Sequence, residues 1–300
     1  MSLENFIYKQ LGDWSHKQIK RSIDAKRAFV NGRNIFVSKW NLKPNDTVLF
    51  VPTQNDVPKL PTSRFHYVDV LHEDNDLIVT NKPPFVDYEE YTKIVVDYIK
   101  RKNRGKSYPY LGQMHRLDKE TSGVMVFTKK KQANVLADQF RDHSVQKFYL
   151  ALVCGRVPQE QGKITKPIEK GEFGEGRKVR IHDRLGKTAM TRYQVLERYA
   201  HATLLKVEIF TGRTHQIRIH LSDLGFPVVG DKLYGQDVAG RQIPARRHML
   251  HAETLIFTHP ITHKKMRIHA PMTKDFLALV ETHPSSPLPQ WCILLRPGWH

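Results

Sequence analysis

The chain has 300 residues, and its 48 Lys and Arg against 30 Asp and Glu give a formal charge of +18, an excess that suggests a polyanionic partner. Hydrophobic residues make up 40% and aromatics 10%, which is ordinary for a folded globular protein and excludes a basic disordered tail. The only cysteines, Cys154 and Cys292, lie far apart, which excludes a disulfide framework or cysteine-rich zinc site, and no segment approaches the roughly 18 apolar residues of a membrane span.

The N-terminus, MSLENFIYKQLGDW, lacks the cationic start and apolar core of a secretory signal, so a cytoplasmic protein, without membrane contact, is expected. Leu3, Phe6, Ile7 and Leu11 fall at helical spacing, and Ser15 can cap a second helix through Ile19, Ile23 and Ala25. Ala28–Val30, the turn Asn31-Gly32-Arg33-Asn34 and Ile35–Val37 predict a hairpin on the Asn-Gly signal, and Asn45-Asp46 precedes a last strand, Thr47–Val51. The second helix region carries Lys17, Lys20, Arg21, Lys26 and Arg27, either as RNA contacts or as a solvated face. Residues 1–53 therefore form a first module. The segment TQNDVPKLPTSR has two prolines and no periodicity, which makes residues 54–66 a linker.

Strand signals at Tyr67–Leu71 and Leu77–Asn81, with Glu73–Asp76 as the turn between them, open a larger domain over residues 67–280. Within it, HRLDKETSG places Asp118 between an arginine and a lysine, before a Thr-Ser-Gly turn and the apolar run Val124–Phe127. A carboxylate held among cations favours its charged form, so Asp118 is the candidate nucleophile or base; a surface charge cluster is the alternative. KGEFGEGRK is not a phosphate-binding loop, since Lys178 is not followed by Ser or Thr, and predicts a basic hairpin tip between strands Lys163–Ile168 and Val179–Ile181. Thr211-Gly212-Arg213 predicts the turn between a strand, Thr203–Phe210, and a helix from Thr214 with Ile217, Leu221 and Leu224 on its apolar side. His215 and His220 are five apart, unlike a helical zinc pair, and His248 and His251 have no acidic or thiol neighbour in sequence, so no metal is expected. The proline-containing tail, residues 281–300, has no readable role.

Residues 1–53 resemble the small RNA-binding fold first described in a ribosomal small-subunit protein, with Asn45 where glycine is usual. From Tyr67 to Asp275 the chain resembles the RluA family of pseudouridine synthases, through EDNDLIVTNKPP, HRLDKETSG, KFYLALVCG, GKTAMTRYQVL, TGRTHQIRIHLSDLGFPVVGDKLYG, HAETLIFTHP and APMTKDF in that order. The resemblance implies that Asp118 is the catalytic aspartate, that Tyr149 is the tyrosine of K-x-Y and Arg218 the last arginine of R-T-H-Q-I-R, and that Arg116 fills the space of the extruded base. His115, Arg213 and His215 fall beside these as substrate-binding candidates. After Lys82-Pro83-Pro84 the family usually has glycine; here Phe85 stands there, which predicts a different loop.

Isomerising uridine breaks N1–C1′, turns the retained base and joins C5 to C1′. A retaining glycosidase needs two carboxyl groups, but uracil delocalises departing charge over its carbonyls and no water need enter, so one carboxylate can suffice. Arg218 supplies the cation that holds it, with guanidinium able to grip a carboxylate by two parallel bonds. Attack at C1′, addition to C6 of uracil and abstraction of the 2′ proton all fit the sequence. The expected protein is an α+β monomer needing no cofactor: a small helix and β module, then a mixed, largely antiparallel sheet with flanking helices. It would isomerise uridines in structured RNA, with large-subunit rRNA favoured and tRNA the second choice. The rivals are a non-catalytic RNA-binding or ribosome-assembly protein and a base-excising glycosylase.

Overall fold

A computed structural model describes residues 1–300 except 12–14, 25–27, 31–32, 36, 44–45, 47, 51–67, 104–109, 174–176, 236–244, 281–292 and 296–300. Lys26, Arg27 and the whole of the expected linker thus lie outside the described residues. The chain divides into two compact units, Met1–Arg64 with Glu281–His300, and Phe65–Val280. No helix among the described residues is long and apolar enough to cross a membrane.

In the first unit, α1 (Leu3–Leu11) and α2 (His16–Asp24) follow the apolar spacing. Leu3, Phe6, Ile7, Ile19 and Ile23 are buried in one core with Ala28, Val48 and Phe50. The Ser15 hydroxyl accepts the Gln18 amide at 3.3 Å, closing the first turn of α2. Lys17, Lys20 and Arg21 are exposed. Strand β1 (Ala28–Val30) pairs with β2 (Arg33–Ile35) and β3 (Val48–Phe50). Val30 pairs with Arg33, so the second strand starts at Arg33 rather than Ile35, and Asn31 and Gly32 of the expected turn lie outside the described residues. Part of the tail also has a place, since strand Ile293–Leu295 runs antiparallel to β3 and extends this small sheet.

The second unit is built on a mixed 10-stranded sheet. Its strands are β4 (Val70–Glu73), β5 (Leu77–Lys82), β6 (Gly112–Gln113), β7 (Ser122–Thr128), β8 (Gln146–Cys154), β9 (Gln161–Ile164), β12 (Thr191–Arg198), β13 (Ala202–Ile209), β14 (Leu250–Thr258) and β15 (Lys265–His269), while β10 (Ile168–Phe173) and β11 (Arg177–Ile181) form a separate hairpin. The main path runs β4-β5-β7-β14-β8-β13-β12-β9. All pairs are antiparallel except β7 with β14, where His251 faces Ser122 and Ala252 faces Gly123. β7 is buried along its whole length, as its unbroken apolar run demands of a central strand. At its start Gly123 has φ 117°, and a Cβ there would overlap the Ala252 carbonyl, so the Thr-Ser-Gly turn admits only glycine at that point.

Two strand boundaries differ from expectation. The first strand of the larger unit begins at Val70, past Val68 and Asp69, with Tyr67 outside the described residues, and the strand expected over Lys163–Ile168 is two strands, β9 on β12 and β10 on β11. Pro167 lies between them and has no N–H to continue a ladder. Helix α3 (Tyr88–Lys102) was not expected: Asp87 caps it by accepting the Glu90 amide at 2.9 Å, and Tyr91, Val95 and Ile99 face the core. α4 (Leu136–Arg141), α5 (Gln216–Asp223) and α6 (Lys274–Val280) complete the unit. α5 is not the one-sided helix expected: Gln216 through Leu221 are all buried, while Leu224 lies past its end and is 38% exposed.

Candidate active site

A cavity of about 280 Å³ opens on the middle of the large sheet, lined from the Met114–Asp118 loop, from β8 and from the turn into α5. Tyr149 stands on its floor, Asp118, Arg213 and His215 reach it from the two loops, and Arg218 reaches it from α5. His115 and Arg116 line it as well.

The charges of the site are not those adjacent in sequence. Arg116 is exposed, with its guanidinium 5.2 Å from the Tyr88 ring centre, and the cation on Asp118 is Arg218, a hundred positions away, whose Nη1 donates to Asp118 Oδ2 at 3.2 Å. The two-bond grip expected on Asp118 belongs instead to Asp231, which accepts Arg218 Nε at 2.6 Å and Nη2 at 2.9 Å. A guanidinium presents its donors in a fixed fork, so an arginine that spends two on one carboxylate turns a third toward the other. His215 Nε2 lies 3.8 Å from the same Oδ2. Among the described residues, Asp118 Oδ1 takes no hydrogen bond.

Asp231 was missed by sequence reasoning, although it sits in GDKLYG. Its side chain is fully buried, and its Oδ1 also accepts the Leu233 and Tyr234 amides. Burial alone would raise the carboxyl; the bonds and charge of Arg218 outweigh it and hold the group below its ordinary range. Gly230 before it has φ 76°, and a Cβ would overlap the Arg247 carbonyl. Tyr234, from the same block, bonds His215 Nδ1 at 2.9 Å and lies under the Arg218 guanidinium. The signal available in sequence was the Gly-Asp pair before an aromatic turn, which alone says only "turn".

R-T-H-Q-I-R now has a physical account. The Gln216 carbonyl oxygen accepts the Thr211 hydroxyl and the Arg213 amide, and its NH₂ donates to Met190 and Thr191, fixing the turn after β13. His215, before the helix, has φ 52°, and Arg213 Nε donates to the Thr188 carbonyl. Burial, with the Arg218 charge, outweighs the attraction of Asp118 and pushes His215 down to about 4, so it is neutral at pH 7.

The turn after Asp118 is held from three elements. Lys82 Nζ donates to the Lys119 carbonyl, Arg247 Nη1 to that of Glu120, and His248 Nε2 bonds the Thr121 hydroxyl at 2.8 Å. Tertiary structure also supplies the acidic neighbour that His248 lacks in sequence, Glu120 at 3.3 Å. Lys82 is fully buried, and burial and the Arg247 charge push it down to about 7. Its other bonds reach the Pro83 and Val86 carbonyls, across Phe85 at φ 69°. Phenylalanine therefore stands in the left-handed conformation that glycine takes freely, at a cost of about 1–2 kcal/mol. His115 stacks on Phe140 at 4.9 Å and its Nε2 accepts the Val126 amide. Tyr149 stays protonated: burial, then the charge of Asp118, push its phenol up.

Away from the cavity, Asp74, Asp76 and His259 are the one trio of potential metal ligands that converges among the described residues. Their atoms are committed: Asp74 accepts His72, His259 and the Asp76 and Leu77 amides, and Asp76 pairs with Lys130.

Residues 76–223 match the sequence profile of RNA pseudouridylate synthases. A Vibrio cholerae protein described as ribosomal large subunit pseudouridine synthase C is 32% identical over 285 residues, covering 90% of this chain and 89% of its own. The chain belongs to the RNA pseudouridylate synthase family. An Aquifex aeolicus RNA pseudouridine synthase is 36% identical over 245 residues, spanning 78% of this chain and 76% of its own. Among solved structures, human RNA pseudouridylate synthase domain containing 4 superposes with a TM-score of 0.59 at 28% identity, covering 70% of this chain and 90% of that one. The α+β architecture, the enzyme class and RNA as the substrate are those of the family.

Proposed function

We propose that this pseudouridine synthase acts on large-subunit rRNA and that Asp118 is its reacting carboxylate. The observation that carries the assignment is the asymmetry of that carboxylate: Arg218 and His215 approach Oδ2, while Oδ1 is left to the cavity. Oδ1 is then the oxygen that meets the ribose or base when N1–C1′ breaks. The base stays in the cavity, C5 joins C1′, and the C5 proton leaves as N1 gains one, so nothing is consumed and no cofactor is used.

Tyr149 serves as a flat platform for the flipped uracil and, because its phenol stays protonated, as a hydrogen-bond donor rather than a base. Neutral His215, on the Oδ2 side, adds no positive charge beside that of Arg218. Arg116, exposed at the cavity rim with its guanidinium over Tyr88, takes the place of the extruded base. Arg213 and His115 shape the walls.

The large-subunit target is supported by the description of the Vibrio cholerae relative. Residues 1–53 act as an S4-like RNA-binding module, supported by α2, which buries Ile19 and Ile23 and exposes Lys17, Lys20 and Arg21. Ribosomal RNA as substrate accords with a cytoplasmic site of action.

Asp118→Asn tests the assignment: it preserves volume and removes the charge, so tritium release from RNA containing 5-tritiated uridine should cease while RNA binding persists. Wild-type release from the variant would sink it. Free uracil as the product would instead mean a glycosylase.

A further inference from the structure

The cavity contains a second buried cation to which the reaction assigns no part. Lys147 is 7% exposed and stands on β8 two residues before Tyr149, so both side chains rise from the same face of the sheet and both line the cavity. Its neighbours across the sheet are Ile209 on β13 and Leu255 on β14, both apolar. Among the described residues its ammonium has no hydrogen-bond or ion-pair partner. The titratable group facing it is His115, which burial and the charge of Lys147 push down to about 4 and which is therefore neutral. Burial moves Lys147 itself below the ordinary lysine range.

An ammonium largely withdrawn from water without a partner carries a desolvation cost, although its Nζ still meets the open cavity. Such a cost is recovered when a ligand brings the counter-charge. An ammonium is a compact, strongly hydrated point charge, and a full negative charge offsets its desolvation better than a neutral carbonyl dipole does. RNA carries that charge on every nucleotide. Lys147 and Tyr149 are two positions apart on the strand, about 7 Å, a span one nucleotide covers between base and phosphate.

We propose that Lys147 receives a backbone phosphate of the RNA, on the nucleotide whose base enters the cavity or on its immediate neighbour. The assignment rests on the reading that uridine enters beside Asp118 and Tyr149, and it adds an anion subsite at the His115–Phe140 end of the cavity. Lys147 is a substrate-binding residue here, distinct from the surface basic groups, because only RNA that has entered the cavity can reach it.

The test compares wild type, Lys147→Met and Lys147→Arg on the shortest large-subunit rRNA transcript in which wild type forms pseudouridine, with affinity measured against salt. Lys147→Met should bind about tenfold more weakly at low salt, with a log–log slope shallower by about 0.7, and Lys147→Arg should recover the slope. Lys147→Met should also melt no lower than wild type, because removing an unpaired buried charge relieves its desolvation. An unchanged slope in Lys147→Met overturns the proposal; an unchanged slope with lost turnover means that the lysine meets a uracil carbonyl. A lower melting temperature in Lys147→Met means a structural lysine and overturns it equally. If wild type modifies no such transcript, the large-subunit reading fails by itself, and the same slopes on a short oligouridylate still decide the phosphate contact.

Discussion

Replacing Asp231 by asparagine removes one charge from the tightest ion pair of the site at nearly constant volume. Asp231 is fully buried on its side chain and Arg218 is 6% exposed, so neither charge has water to fall back on. Breaking a buried pair by removing one partner costs about 3–5 kcal/mol. Asparagine also cannot accept on both oxygens, and its NH₂ would face either Arg218 or the Leu233 and Tyr234 amides. At about 2–4 °C per kcal/mol for a unit of this size, the melting temperature should fall by about 6–20 °C. The activity effect is separate: relieved of Asp231, the Arg218 fork is free to close on both oxygens of Asp118 and occupy Oδ1. Turnover should collapse well below the melting temperature while RNA binding stays near wild type. Thermal melting by circular dichroism and tritium release at a temperature where the variant is folded read the two effects independently. An unshifted melting temperature with wild-type turnover would refute the clamp.

The pH dependence of stability has a definite sign. His251 is fully buried, accepting from Ser122 at Nδ1 and bonding the Ala270 carbonyl at Nε2, and burial pushes it from 6.5 to about 4. The unfolded chain binds more protons between those values, so stability is complete above pH 6.5 and is lost as pH falls toward 4; His115 and His215 act in the same window, so His251→Gln should lessen that loss without abolishing it, and an unchanged profile counts against it. Turnover should survive dialysis against EDTA, since the proposed chemistry uses only side chains of this chain, and a loss restored by zinc or magnesium beyond an RNA-folding effect would contradict it. A chain of residues 65–280 should fold and isomerise uridine with a shallower salt dependence of RNA binding. Removing the N-terminal unit must include the tail strand that pairs with β3; identical slopes would mean that Lys17, Lys20 and Arg21 form a solvated face.

Local chemistry determined much of this protein before any packing was known. The apolar spacing of Leu3, Phe6, Ile7, Ile19 and Ile23 specifies α1 and α2, and the run Val124–Phe127 specifies a central strand, because both depend on periodicities that a single segment carries. The ordered motifs from Tyr67 to Asp275 likewise carried the family, and they pointed to Asp118, Tyr149 and Arg218, which the fold gathers around one cavity. Tertiary structure alone decided which charges meet. Arg116 and Lys119 flank Asp118 in sequence, yet its partner comes from α5, because side chains adjacent along a loop turn apart while the fold brings the Met114–Asp118 loop and α5 to one cavity. The roles of Asp231 in holding Arg218 and of Lys82, Arg247 and His248 in holding the Asp118 turn were illegible for the same reason: each is a contact between segments whose separation along the chain encodes nothing about their separation in space. The burial of Lys147 is of this kind too, since a lysine in a strand shows its cost only when the neighbouring strands and the loop above it withdraw most of its side chain from water.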